Sequence, residues 1–454
     1  MATAAETTNS SSTEFSRPAD KYIWGAYLAL VFISIIEVSS ASSPEVSPNN
    51  IFGPIIRHGI TLALGVAVTF ATSRLNYRHL LPLTPLMVLL SIILAIVVFI
   101  FGFGANNAVR SIEILGFQLQ SSEFIKLSAV AVIALVASKS QDKEKKLSAR
   151  GVRIIAICVA LFGGLLITQG LTNTVLLMAI SVSMMFLGGI RWRHLGLLLV
   201  VYMMIGVGVL FIHSLIKSDD SKDKKEQTTE VVQAAQSDVQ VAGEQAQTAE
   251  AKEKKSGIFG RSGTWNARLD RWLNGDTVPL YKQPITDENR QVVYSLMAQA
   301  HGGVIGNGPG NSREVSRLPL PNIDYIYSIV VEDWGFVGGI IVLVIYLSIL
   351  FRAGRIASRC RRAYPAMMII GMAVFIVFEA LFHIGINTGF FPVSGQPLPM
   401  ISKGGTSILV TSFAFGIMLS VSRTAAMSAK KEENADEKEN LPEDMQAENP
   451  GMIK

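Results

Sequence analysis

The chain has 454 residues, half of them hydrophobic, with a mean hydropathy of +0.39. Charged residues make up only 17%, a balance that excludes an ordinary soluble globular domain. The net charge of +5 sits in short clusters beside apolar runs, which suits anionic lipid headgroups and implies no nucleic acid partner.

A membrane-spanning helix needs roughly 20 mostly apolar residues. About ten stretches answer that description: 22–41, 54–72, 80–104, 123–137, 152–168, 174–190, 195–215, 325–351, 366–386 and 407–421. The expected fold is an all-α polytopic integral membrane protein with about ten transmembrane helices and a large extracytoplasmic loop, 216–324, between helices 7 and 8. Basic residues concentrate in alternate short loops, at Arg74 and Arg78, Lys139 to Arg150, Arg191 and Arg193, and Arg352 to Arg362. By the positive-inside rule both termini are cytoplasmic, and Arg57, Arg110 and Lys403 are basic residues on the outer side. Cys158 and Cys360 stand on separate elements and suggest neither a disulfide nor a metal site.

Residues 1–20 are small, polar and unpatterned, as expected of a disordered cytoplasmic tail, and 424–454 read the same way. No cleavable signal precedes the first span, which reads as an uncleaved anchor. Glu37 lies near the outer end of that span, where an interhelix hydrogen-bonding role suits its depth better than catalysis. In 104–123, Arg110 is outside against the charge bias, and Glu123 and Lys126 open the next span on one helix face. They make either a local ion pair or a site for an anionic, membrane-borne headgroup. Residues 217–256 are rich in Lys, Glu, Gln, Ala and Ser without aromatics, and read as a low-complexity insert. Apolar and aromatic content returns at 265–272 and 292–300, in pieces expected to lie at the membrane surface.

The stretch 301–338 joins a polar, glycine-rich loop to the mouth of an apolar span. Its glycines, with Gly308, Gly310, Asn311 and Ser312 at the centre, permit turns and close backbone approach to a ligand, yet the loop lacks the Lys-Ser/Thr ending of a nucleotide site. Asp324 then stands at the edge of a long apolar run. A carboxylate there is costly to keep ionised, so function is the default reading, with a helix N-cap as the bland alternative. In the ninth span Glu379 and His383 lie four apart on one face, suited to a pair hydrogen-bonded between helices or to a proton relay. Residues 387–407 are too polar and too rich in Pro and Gly for a lipid-exposed helix, so they line a cavity or are buried in protein.

The run from Phe391 to Ser407, FPVSGQPLPMISKGGTS, resembles the C-terminal signature of the SEDS family (shape, elongation, division, sporulation). Gly302-Gly303 through Ser312, Asp324 to Tyr327, Glu332 to Phe336, and Arg110 with the block from Phe117 to Lys126 are similar to further family blocks in the same order. Ser121, Lys403 and the segment from Gln169 to Thr174 depart from the family pattern, the last offering no acidic residue. The resemblance covers 21–423, the expected membrane domain.

It implies a peptidoglycan glycosyltransferase that polymerises lipid II at the outer face of the bacterial cytoplasmic membrane beside a class B penicillin-binding protein. Divisome membrane proteins and membrane lipids are the other implied partners, and the chain looks more like division members of the family than elongation members. Asp324 matches the family's essential acidic position. Arg110, Glu123, Lys126, Ser402 and Lys403 are candidates for the diphosphate and headgroup. No cofactor is certain; Mg2+ or Mn2+ is compatible with diphosphate chemistry, although no residue cluster has metal-ligand spacing. The competing readings are a lipid II flippase, an elongation polymerase and a non-enzymatic division scaffold.

Overall fold

The computed structural model describes residues 19–42, 52–101, 111–114, 117–141, 146–167, 169–196, 282–286 and 289–431, with the single positions 198, 200, 202, 268 and 272. The tail 1–18, Arg110, the insert 217–256 and residues 432–454 lie outside the described residues.

The helices are α1 (Lys21–Ala41), α2 (Gly53–Arg74), α3 (Leu80–Phe101), α4 (Ser121–Lys139), α5 (Ala149–Ile167), α6 (Leu171–Leu187), α7 (Arg290–Gly302), α8 (Ile326–Ala357), α9 (Ala363–Asn387) and α10 (Gly405–Lys431). Among the described residues eight are long and apolar enough to cross a membrane. Helix α6 is apolar but shorter, and the expected span 195–215 is described only at its start. The protein is therefore an integral membrane protein, with the count of ten left to residues not described.

The helical fold carries one addition to the all-α expectation. Strands β1 (Ser111–Ile114) and β2 (Phe117–Gln120) pair antiparallel, Ser111 opposite Gln120 and Ile114 opposite Phe117. Ile112, Ile114, Phe117 and Leu119 alternate with polar residues, the period of a strand rather than a helix. The hairpin runs straight into α4, and the Gln120 N–H donates to Thr406 Oγ1 (3.0 Å), fastening it to the first turn of α10.

Helices α4, α9 and α10 form the centre and are the most buried, while α3 is the most lipid-exposed. Helix α9 packs on α4, α6 and α8, and α10 on α2. The α2–α10 seam is built of small residues: Thr69 Oγ1 donates to the Ser412 carbonyl (2.9 Å), and a Cβ at Gly416 would stand 2.5 Å from Thr72 Cβ. Such close approach substitutes for the hydrophobic drive that helices lose in lipid. The two ends of the bundle carry different groups. Asp20, Arg352 and Ser422 meet at one end, and Ser40, Asp333 and the glycine-rich loop meet at the other.

Helix α8 breaks at Gly335 (φ 71°, ψ −173°), and the glycine-rich loop fills the break. Phe336 N–H and Val337 N–H donate to the carbonyls of Gly303 (2.9 Å) and Val304 (3.3 Å). In return Asn307 N–H and Gly308 N–H donate to Glu332 O (3.1 Å) and Asp333 O (2.8 Å). A Cβ at Gly306 would stand 2.2 Å from Asp333 O, so glycine there is a condition of contact. Backbone freed by a kink at this depth has to be satisfied by protein, and here it is.

Candidate functional site

Asp324 precedes α8 in a turn. The N-cap position of α8 is Tyr325, whose side chain makes no capping bond, and the Ser328 N–H in the first turn donates to Asn387 Oδ1 (3.3 Å). Three successive carbonyls hold the Asp324 turn. Lys403 N–H donates to Asn322 O (2.8 Å), Ser402 Oγ to Ile323 O (2.7 Å), and Asn387 Nδ2 to Asp324 O (3.1 Å). Ser402 Oγ also accepts from Leu398 N–H (2.7 Å), so the hydroxyl proposed for a headgroup is occupied in joining the signature loop to the Asp324 turn. Leu320 (φ 54°) and Met400 (φ 66°), both non-glycine in the left-handed region, lie in the two loops so joined. Strain of this kind persists where surrounding contacts over-determine the backbone.

Asn387 is a hub that sequence patterns did not single out. Its Oδ1 accepts from Ser328 Oγ (2.9 Å), and its carbonyl accepts from Ser295 Oγ (2.9 Å) and Gln299 Nε2 (2.7 Å), tying α7, α8 and α9 together behind Asp324. Arg268 was missed too: its Nη1 donates to Val393 O (3.0 Å) and its charge acts on Tyr325. Burial, then the neighbouring Asp324 charge, push the Tyr325 phenol up and Arg268 pulls it back, so the phenol stays protonated and donates to Gln291 Oε1 (3.3 Å).

Glu123 and Lys126 do meet on one face of α4, with Nζ to Oε1 at 2.8 Å. Their third partner is Glu379 of α9, which Lys126 also contacts, with Nζ 5.8 Å from the centre of the Phe375 ring. Lys126 and Glu123 are fully buried. The ammonium is clasped by two buried carboxylates, one on each helix, and so joins α4 to α9. Glu379 and His383 do not bond to one another. His383 Nδ1 pairs with the Gln396 carbonyl (2.6 Å), and Gln396 Nε2 donates to Asn173 Oδ1 (3.0 Å). Asn173 thus brings in the segment where no acid was available.

Glu379, His383 and Asn387 run down one face of α9 at four-residue steps, linking Lys126 at one end to Asp324 at the other. Two turns of helix separate those levels by about 12 Å. Gly308, Gly310, Asn311 and Ser312 lie in a loop fastened by its own contacts. Gly310 N–H donates to Ser40 Oγ (2.9 Å), Asn311 Nδ2 to Asn307 O (3.0 Å), and Ser312 Oγ to Asp333. Glu37 is buried between helices beside Asp333 and Trp334. Among the described residues no group of three or more His, Cys, Asp or Glu could hold a metal. Glu123 and Glu379 approach each other around an ammonium, where a divalent cation would meet a positive charge.

The model of the cell cycle protein family FtsW/RodA/SpoVE matches residues 20–262 and 261–427. The chain is 26% identical over 400 residues to the probable peptidoglycan glycosyltransferase FtsW of Geobacter metallireducens, covering 87% of this chain and 92% of that one. It is also 26% identical over 402 residues to the stage V sporulation protein E of Bacillus subtilis, covering 87% and 94%. In fold it is similar to a chain from a peptidoglycan synthase complex described as coordinating polymerization and crosslinking (TM-score 0.59, 20% identity, 90% of this chain and 98% of that one). The crystal structure of the Thermus thermophilus rod shape determining protein RodA is similar as well (TM-score 0.54, 19% identity, 89% and 97%). With the family model spanning nearly all of the membrane domain, the chain belongs to the FtsW/RodA/SpoVE family of cell cycle proteins.

Proposed function

We propose that the protein is a peptidoglycan glycosyltransferase that polymerises lipid II into glycan strands for septal wall synthesis, working with a class B penicillin-binding transpeptidase. The names of its relatives support the activity. The observation that carries the reading is the turn of Asp324 before α8, whose backbone carbonyls at Asn322, Ile323 and Asp324 accept from Lys403 N–H, Ser402 Oγ and Asn387 Nδ2. In the reaction the acceptor sugar 4-hydroxyl attacks the anomeric carbon of the donor. Undecaprenyl diphosphate departs with the bonding pair, and Asp324 takes the hydroxyl proton or orients that hydroxyl. Arg268, whose charge acts on the Tyr325 phenol as that of Asp324 does, is a candidate cation for the departing diphosphate.

The test is polymerisation of purified lipid II by the protein with its transpeptidase, read on a gel. Wild type gives polymer and Asp324→Asn gives none while folding and partner binding persist. Near-normal polymer from Asp324→Asn sinks the assignment, and lipid translocation without polymer favours a flippase. Depletion distinguishes the cellular role, with filamentation expected for a septal enzyme and rounding for an elongation enzyme.

A further inference from the structure

Away from the proposed site, at the opposite end of the bundle, α1 and α8 leave between them a groove of about 580 Å3. Three cations stand at its mouth: Lys21, Arg352 and Arg355. The only carboxylate that the described residues place there, Asp20, is already committed. Its Oδ2 accepts from Arg352 Nε (2.9 Å) and Nη2 (2.5 Å), and its Oδ1 from the N–H groups of Tyr22 and Ile23. Arg352 is thereby fixed against the Tyr22 ring (4.5 Å), while Arg355 lies over Phe351 (5.1 Å) and Lys21 over Tyr22 (5.3 Å). Tyr22 and Phe351 are largely exposed, as aromatic side chains at a membrane interface are.

Behind this mouth the groove is apolar and narrow-walled, with Gly25, Ala26 and Ala29 of α1 facing Ile345 and Ile349 of α8. Nothing lies within 4 Å of where a Cβ on Gly25 would stand, so the floor opens onto the groove. A ligand that matches both parts carries an anion at one end and a hydrocarbon chain at the other. We propose that this groove binds one anionic glycerophospholipid, its phosphate held by Lys21 and Arg355 and an acyl chain laid along Gly25 and Ala29. Basic residues attract anionic headgroups at a bilayer surface, and long basic side chains reach that level from within the hydrocarbon. The small residues of α1 then leave the space that a lipid chain takes up.

The test is native mass spectrometry of the delipidated full-length protein titrated with dioleoyl phosphatidylglycerol, dioleoyl phosphatidylcholine, or inorganic phosphate. Wild type is expected to retain one phosphatidylglycerol about tenfold more tightly than phosphatidylcholine, with inorganic phosphate failing to displace it. Lys21→Gln with Arg355→Gln should abolish the headgroup preference. Gly25→Leu, which fills open space and disturbs no packing, should weaken retention of phosphatidylglycerol at unchanged thermal stability. Equal retention of the two lipids by wild type, displacement by inorganic phosphate, or a preference unchanged in both variants overturns the proposal.

Discussion

At the scale of single residues, burial separates roles that charge alone leaves merged. Lys126 and Asp324 are both charged groups in a membrane protein, yet one is enclosed with its counter-charges and the other sits in the turn before α8. Removing the ammonium leaves Glu123 and Glu379 facing each other without compensation, and breaking such a buried group costs about 3–5 kcal/mol. Lys126→Ala should therefore lower thermal stability strongly, and adding Glu123→Gln and Glu379→Gln should recover much of it. A variant that keeps wild-type stability but no longer binds lipid II would return Lys126 to the substrate site. Asp20 gives a pH-dependent counterpart. Burial pushes its carboxyl up, but the Arg352 hydrogen bond and charge, with two helix N–H groups, win and hold it below the ordinary 3.8. A lowered carboxyl contributes stability that is present above 3.8 and lost as pH falls through the folded value. The melting temperature of wild type should exceed that of Asp20→Asn at pH 7, and the gap should close on acidification below about pH 4.

At the scale of elements, the glycine-rich loop and the α8 kink are one unit. The residues 302–310 and 332–335 interlock through backbone, and Gly306 (φ +90°) admits no side chain against Asp333. Gly306→Ala combines backbone strain with overpacking and should destabilise by about 1–3 kcal/mol, seen as a lower melting temperature with reduced polymerisation. The loop's glycines were visible as turn formers, and their partner was not. The contact is made by main-chain atoms of a segment thirty residues on, which no side-chain pattern announces. The hairpin 111–120 reads in the sequence as part of a loop, because a four-residue alternation of apolar residues is too short to stand out beside long apolar spans.

At the scale of the whole molecule, small residues set how closely the helices come. Gly416→Leu at the α2–α10 seam should separate those helices, with a loss of about 1–3 kcal/mol in detergent-unfolding measurements and weakened docking of β2 on Thr406. The sequence by itself determined the membrane class, the positions of most spans, and the location of Asp324 beside a family-like loop, because hydropathy over a bilayer's thickness and a short run of Pro and Gly are local properties. Only the tertiary structure decided which polar groups meet. Glu379 lies 253 positions from Lys126 and Gln396 lies 223 from Asn173. Helices that are apolar on every face carry no periodicity to say which side turns inward, so the choice falls to a few buried hydrogen bonds and close backbone contacts. Those contacts exist only once the helices are assembled.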